Sequence, residues 1–239
     1  MESTSIVERE PSAEDSAAGI PRQQEIATDA LQEARRLGTS SAEVAISSSA
    51  GLAINVRMGE VETIEHTRDK ALGISVYVGH KKGSASTTDF SSQAVKECVA
   101  AACGIARHTA EDEYAGLADA ALMATDFLDL ELHHPWDLSP EAAIEIALRA
   151  ESAARDLDPR IVNSEGAGVS RLDGIQVYAN SHGFNAGYPS SRHSISCAVI
   201  AGDDGGMQRD YWYSVSRDPG QLEGAEDIGR RAAERSLSR

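Results

Sequence analysis

The sequence predicts an α+β fold: a mainly antiparallel sheet with flanking helices, in which a helix–strands–helix unit occurs twice. Three observations carry this. In Ala71–Asp89, Leu72, Ile74, Val76 and Val78 alternate with Gly73, Ser75 and Tyr77, the period of a half-buried strand, and Gly79 and Gly83 bracket a turn that sends a small-residue strand back. An amphipathic helix follows at 91–107, with Val95, Cys98, Val99, Ala102 and Ala106 at helical spacing. The same order, hairpins and then a helix, returns in the last hundred residues.

Taken in order, Met1–Pro21 is rich in Glu, Ser and Ala without periodicity and reads as a flexible tail. Arg22–Leu37 is the first helix, ended by Gly38. Val44 and Ile46 open a first strand, and Leu52, Ile54, Val56 and Met58 alternate in a second. Gly59-Glu60 turns the chain into Val61–Thr67, where poor alternation suggests a bulge. With the hairpin and its helix, this makes a first half over 22–108. Thr109–Leu138 has no sustained period, is long for a structureless loop, and reads as an ordered crossover with a short helix near Ala118–Met123.

The second half, 139–239, opens at Ser139-Pro140-Glu141, a cap, a first-turn proline and an acid at the positive end of a helix dipole. Strands follow at Ile161–Ser164, Gly168–Leu172 and Ile175–Ala179. Asn180–Gly183 is a turn, Tyr188–Ala201 and Met207–Ser216 are strands, and Gln221–Leu237 is the closing helix.

Composition excludes several function classes. A chain of 239 residues, 41% hydrophobic and 25% charged, can bury a core and is not of disordered composition. A formal net charge of −16 disfavours sequence-independent nucleic-acid binding and docking on an anionic membrane. No apolar run approaches a membrane span, and the acidic start has no secretory h-region. Three cysteines at no metal-ligand spacing fit a reducing compartment, so a cytoplasmic location is expected.

The catalytic motifs looked for are missing. Neither His-Glu-x-x-His nor a His-Glu-x-x-x-His variant occurs, and adjacent His133 and His134 on extended chain point apart, so no metal site is expected. Cys98, Cys103 and Cys197 read as core. Ser84 and Ser86 lie in a hairpin rather than on a nucleophile elbow. Lys81 and Lys82 mark a hairpin tip, and Gly166-Ala167-Gly168 lacks the third glycine of a dinucleotide fingerprint. The remaining cluster is Arg192, His193, Arg209, Tyr211 and Trp212, on strands expected to pair, which could grip an extended peptide by backbone pairing and aromatic contact. Its structural alternative is an ion pair of Arg192 or Arg209 with Asp210. Replacing Arg192 and Trp212 by Ala is expected to weaken peptide capture with the fold retained.

Gly51–Gly83 together with Lys-Gly-Ser-Ala-Ser-Thr-Thr-Asp at 82–89, Asn180-Ser181-His182-Gly183, Ser191-Arg192-His193-Ser194 and Arg209-Asp210-Tyr211 resemble the TldD/PmbA family on its PmbA (TldE) side, from Gln24 to Arg239. The resemblance implies the N-terminal portion of a subunit, with the family's C-terminal domain absent. It implies a heteromeric zinc metallopeptidase whose TldD-like partner supplies the zinc, its ligands and the general base. The substrates it implies are unfolded or small peptides, including peptide-antibiotic precursors and an antitoxin. This chain alone is then expected to be inert and to bind no cofactor. The family's older description, modulator of DNA gyrase, supplies the alternative of an acidic binding protein.

Overall fold

The computed structural model describes residues 13–203 and 205–239. Among the described residues, four α-helices and six strands run in the order α1 (Ala13–Arg36), β1 (Ser41–Arg57), β2 (Glu60–Val78), β3 (Lys81–Thr87), α2 (Ser92–His108), α3 (Pro140–Arg155), β4 (Ile161–Asn180), β5 (Asn185–Asp203), β6 (Gly206–Ser216) and α4 (Ala225–Leu237). The expected α+β fold is present: helix, three strands and helix, twice over. The strands form one sheet in the order β3-β2-β1-β4-β5-β6. The β2–β3 and β5–β6 pairs are antiparallel. So is the β1–β4 pair, because Ser48, Gly51 and Val56 lie against Gly174, Arg171 and Gly166 in reversed order.

The main departure from the sequence reading is strand length. The two strands expected on either side of Ser47–Gly51 are one, β1, and Val61–Thr67 joins the 71–78 stretch as β2. Likewise, the three strands expected between 161 and 179 are β4 alone. Glycine and serine there mark close backbone approach, not breaks. A Cβ on Gly51 would stand 2.9 Å from the Arg171 carbonyl, and one on Gly166 2.5 Å from that of Val56. The poor alternation of 60–71 has its own cause: every residue from Glu60 to Ala71 is exposed, so neither face selects apolar side chains.

Of the tail expected over Met1–Pro21, residues 1–12 lie outside those described. The helix starts at Ala13 rather than Arg22 and contains Pro21. Ile20 and Ile26 on either side of the proline both pack on the core, so the tertiary contact carries the helix past a residue that usually ends one. Ser91 and Ser139 cap α2 and α3 as expected, each accepting a backbone N–H three residues on. The 109–138 stretch holds one short 3-10 turn, Ala120–Leu122. α4 starts at Ala225, four residues later than expected, because Asp218 caps a separate turn at Pro219–Gln221.

The chain forms two compact units, each assembled from three stretches: 1–47, 70–127 and 175–189, and 48–69, 128–174 and 190–239. Each has its own core. In the first, Ala27, Ala30 and Ala34 of α1 and Val95, Val99 and Ala102 of α2 pack on Val44, Ile46, Leu72, Ile74 and Val76. In the second, alanines of α3 and α4 with Ile228 pack on Leu52, Ile54, Val56, Val169, Ile195 and Val199. The alanines permit close helix packing. A Cβ on Gly229 of α4 would run into the Ala150 carbonyl of α3, and one on Gly83 of β3 into the Ala102 carbonyl of α2.

Candidate functional site

β5 and β6 do pair, with Val199 opposite Asp210, Cys197 opposite Trp212 and Ser196 opposite Tyr213. The period of two then divides the predicted cluster between two faces. Arg192, Arg209 and Tyr211 lie on the face that the helices of this unit leave uncovered, whereas His193 and Trp212 lie on the helix-covered face. The register does not gather the five residues: Tyr211 stands opposite Ala198 and Arg209 opposite Ile200, well along β5 from Arg192 and His193, and the two faces divide them further.

On the uncovered face, Arg192 is exposed and makes no hydrogen bond or ion pair among the described residues. Arg209 Nε donates to Glu165 at 2.6 Å, and its guanidinium sits 5.6 Å from the Tyr211 ring centroid. Tyr211 stacks on Tyr213 at 6.2 Å, a partner the sequence reading passed over although its position, i+2 on the same strand, could have found it. The floor beside them is small: Gly168, Ser170, Ser194, Ser196 and Ala198, with the Ser170 and Ser194 hydroxyls 2.8 Å apart. A backbone can approach such a floor closely, and aromatic and guanidinium groups at its rim suit an extended chain.

On the other face, the residues make their contacts within this unit. The guanidiniums of Arg231 and Arg235, both on α4, stand 4.8 and 5.4 Å from the Trp212 ring centroid, and its indole N–H points at the Glu223 carboxylate, 3.3 Å from each oxygen. Asp210 pairs with neither Arg192 nor Arg209. It accepts from Arg239 Nε at 2.6 Å and from Arg235 at 3.3 Å. The backbone N–H of Tyr211, with these two arginines, lowers its carboxyl to about 2.

His193 is fully buried. Its Nε2–H donates to the His134 carbonyl at 2.8 Å, and its ring meets Trp136 edge-on at 5.4 Å. Ser191 completes this staple by accepting the His134 N–H and donating to the Arg217 carbonyl. These bonds fix the 132–138 segment against the start of β5.

Among the described residues no three His, Cys, Asp or Glu side chains gather as a ligand set. His133 Nε2 faces Asp173 Oδ1 at 3.5 Å, and the Arg171 guanidinium stands 3.8 Å from the other oxygen of that carboxylate. His134 turns away, its ring N–H donating to the Glu131 carbonyl. All three cysteines are buried and unpaired, and burial, reinforced by Glu151, pushes the Cys197 thiol up to about 12. No helix among the described residues is long and apolar enough to cross a membrane.

Comparisons with known proteins agree with this architecture. Residues 42–106 match the family model of PmbA/TldA metallopeptidase domain 1, and 133–239 that of the central domain. A Haemophilus influenzae protein named as a metalloprotease PmbA homolog is 44% identical over 95% of this chain. The Escherichia coli O157:H7 protein named metalloprotease PmbA is 46% identical over 92%. The chain spans about half the length of these relatives, 51% and 50%. A crystal structure from Bacteroides thetaiotaomicron, titled as a candidate modulator of DNA gyrase, shares the fold at a TM-score of 0.82 and 24% identity, over 95% of this chain and 50% of its own. TldE from Thermococcus kodakarensis does so at 0.72 and 16%, over 89% and 47%. With both family models matched and close to half of its residues shared with named metalloproteases, the chain belongs to the PmbA/TldD family.

Proposed function

We propose that this chain is the N-terminal portion of a PmbA/TldE-like subunit, which acts with a TldD-like zinc subunit on unfolded or small peptides. Peptide-antibiotic precursors and an antitoxin are the substrates this reading puts first. The observation that carries it is the uncovered face of β5 and β6: a floor of glycine, serine and alanine rimmed by Arg192, Arg209, Tyr211 and Tyr213. Such a face can line a chamber or contact a second subunit, and it carries no group that activates water. The zinc, its ligands and the general base are assigned to the partner because the His, Cys, Asp and Glu side chains described here do not assemble into a ligand set. Alone, the chain is then inert. Three unpaired cysteines support a cytoplasmic location.

A native pull-down through an N-terminal tag, with intact mass and zinc read on the same sample, tests this. Co-purification with a zinc-carrying partner bearing a His-Glu-x-x-x-His helix is expected. Zinc-dependent cleavage by the isolated chain would overturn the assignment of chemistry to the partner. The net charge of −16 favours a second reading, an acidic protein that occupies a basic groove on DNA gyrase. Salt-sensitive binding to gyrase with no peptidase partner would select it.

A further inference from the structure

The sheet face of the first unit opposite its helices holds a carboxylate that accepts from two neutral donors. Glu43 stands on β1, and each of its oxygens accepts one phenol: Tyr77 at 3.1 Å and Tyr178 at 3.0 Å. Tyr77 is 4% exposed, and burial beside Glu43 pushes its phenol up to about 12, so it remains a donor at any ordinary pH. Among the described residues Glu43 makes no ion pair. Lys82, opposite Tyr77 in the β2–β3 ladder, instead holds its ammonium 5.7 Å from the centre of the Tyr77 ring.

Beside the carboxylate lies a shallow trough of about 480 Å³ lined by Ala45, Gly73, Ser75, Ser84 and Ser86, with Ile74 and Ala85 between them. The Ser75 and Ser84 hydroxyls are 2.9 Å apart, and either can turn a lone pair into the trough.

The chemistry narrows the ligand. An ionised carboxylate has about four lone-pair sites, and the two phenols take two. A divalent metal needs more anionic oxygens than one carboxylate and two protonated phenols supply. A guanidinium binds best in the plane of both oxygens as a fork, and here each oxygen already carries a phenol. A primary ammonium is compact and has three donors, which the free lone pairs of Glu43 and the serine hydroxyls can meet. We propose that this trough binds the primary ammonium of an extended peptide, with Glu43 taking the charge and Ser75, Ser84 and Ser86 flanking it. The inference rests on the peptide-handling reading for its choice of ligand. The ammonium could come from a peptide N-terminus or from a lysine side chain.

The test titrates the ¹⁵N-labelled 239-residue chain with three amidated peptides: Ala-Gly-Ser-Ala-Gly, its N-acetyl form, and N-acetyl-Ala-Gly-Lys-Ala-Gly. Ammonium-bearing peptides should shift the amides of Gly73, Ser75, Ser84 and Ser86, and the acetylated lysine-free peptide should not. A shift from the first peptide alone identifies the N-terminus as the source, from the third alone lysine, and from both either one. Glu43→Gln should weaken binding about tenfold or more, the loss of a charge-assisted hydrogen bond. Gly73→Val is the second variant. A Cβ there meets nothing within 4 Å and valine suits a strand, so the fold should hold while the trough fills and binding is lost. No shift from either ammonium peptide, equal binding of the acetylated lysine-free peptide, or unchanged affinity in both variants would overturn the site. The pull-down decides the subunit reading separately: a zinc-carrying partner without trough binding would remove this site alone, and trough binding without such a partner would remove that reading alone.

Discussion

Tyr211 and Trp212 are neighbours in sequence with opposite roles, and mutation should separate them. Trp212→Ala removes a ring packed against two guanidiniums of α4 and against the second core, and should cost about 2–4 kcal/mol in urea unfolding. Tyr211→Ala and Arg192→Ala should leave stability within about 0.5 kcal/mol, as exposed positions do. Peptide capture is therefore better tested with Arg192 and Tyr211 than with Arg192 and Trp212. Asp210 gives a pH signature. Its carboxyl is depressed to about 2 in the folded chain, so its stabilisation is present above the ordinary carboxylate value near 4 and is lost as pH falls through 2. Asp158, also held near 2 by Arg160, titrates in the same window, so the reading must be a difference. The melting temperature of Asp210→Asn should approach that of the parent chain as pH drops from 5 to 2. A constant gap would show that Asp210 does not act through its charge. The residue types of the candidate cluster were legible in the sequence, but their division between faces was not exploited. Odd and even positions on β6 point opposite ways, and that parity alone separates Tyr211 from Trp212. The Asp210 partners lie on α4 and just beyond its end, which only the tertiary structure brings alongside.

Among the elements, the β1–β2 hairpin is held at its tip by a helix. Met58 and Gly59 both have positive φ, the twist a two-residue turn requires. The buried Glu151 carboxylate of α3 accepts both of their N–H groups, at 2.8 and 2.7 Å. Glu151→Gln turns one acceptor into a donor facing a donor, and should cost about 1–3 kcal/mol while speeding hydrogen exchange at Met58 and Gly59. Unchanged exchange there would mean that the turn holds itself. Gly229→Ala should force α3 and α4 apart, because the added carbon meets backbone rather than a movable side chain. A loss of about 1–3 kcal/mol is expected by denaturant titration. Helices with caps and apolar stripes were legible to within a few residues, except where Ile20 carries α1 past its proline. Long strands were not, because small residues that let two backbones approach have the same composition as small residues that make a turn.

For the molecule as a whole, the repeated helix–strands–helix order was legible because each helix has its own apolar stripe and each hairpin its own glycine turn. The two cores were not, since alanine dominates their helical side and alanine patterns weakly. Neither unit is a continuous piece of chain. The first is completed only by residues 175–189 and the second only by 190–239. On the ribosome, then, the first core waits for Val177 and Ala179 after α1 and α2 are already synthesised, leaving apolar helix faces open through some seventy residues of elongation. A product ending at Phe127 should accordingly be a poor folder, recovered with chaperones or in aggregates. A soluble species with a cooperative melt would show that the early strands can close without β4.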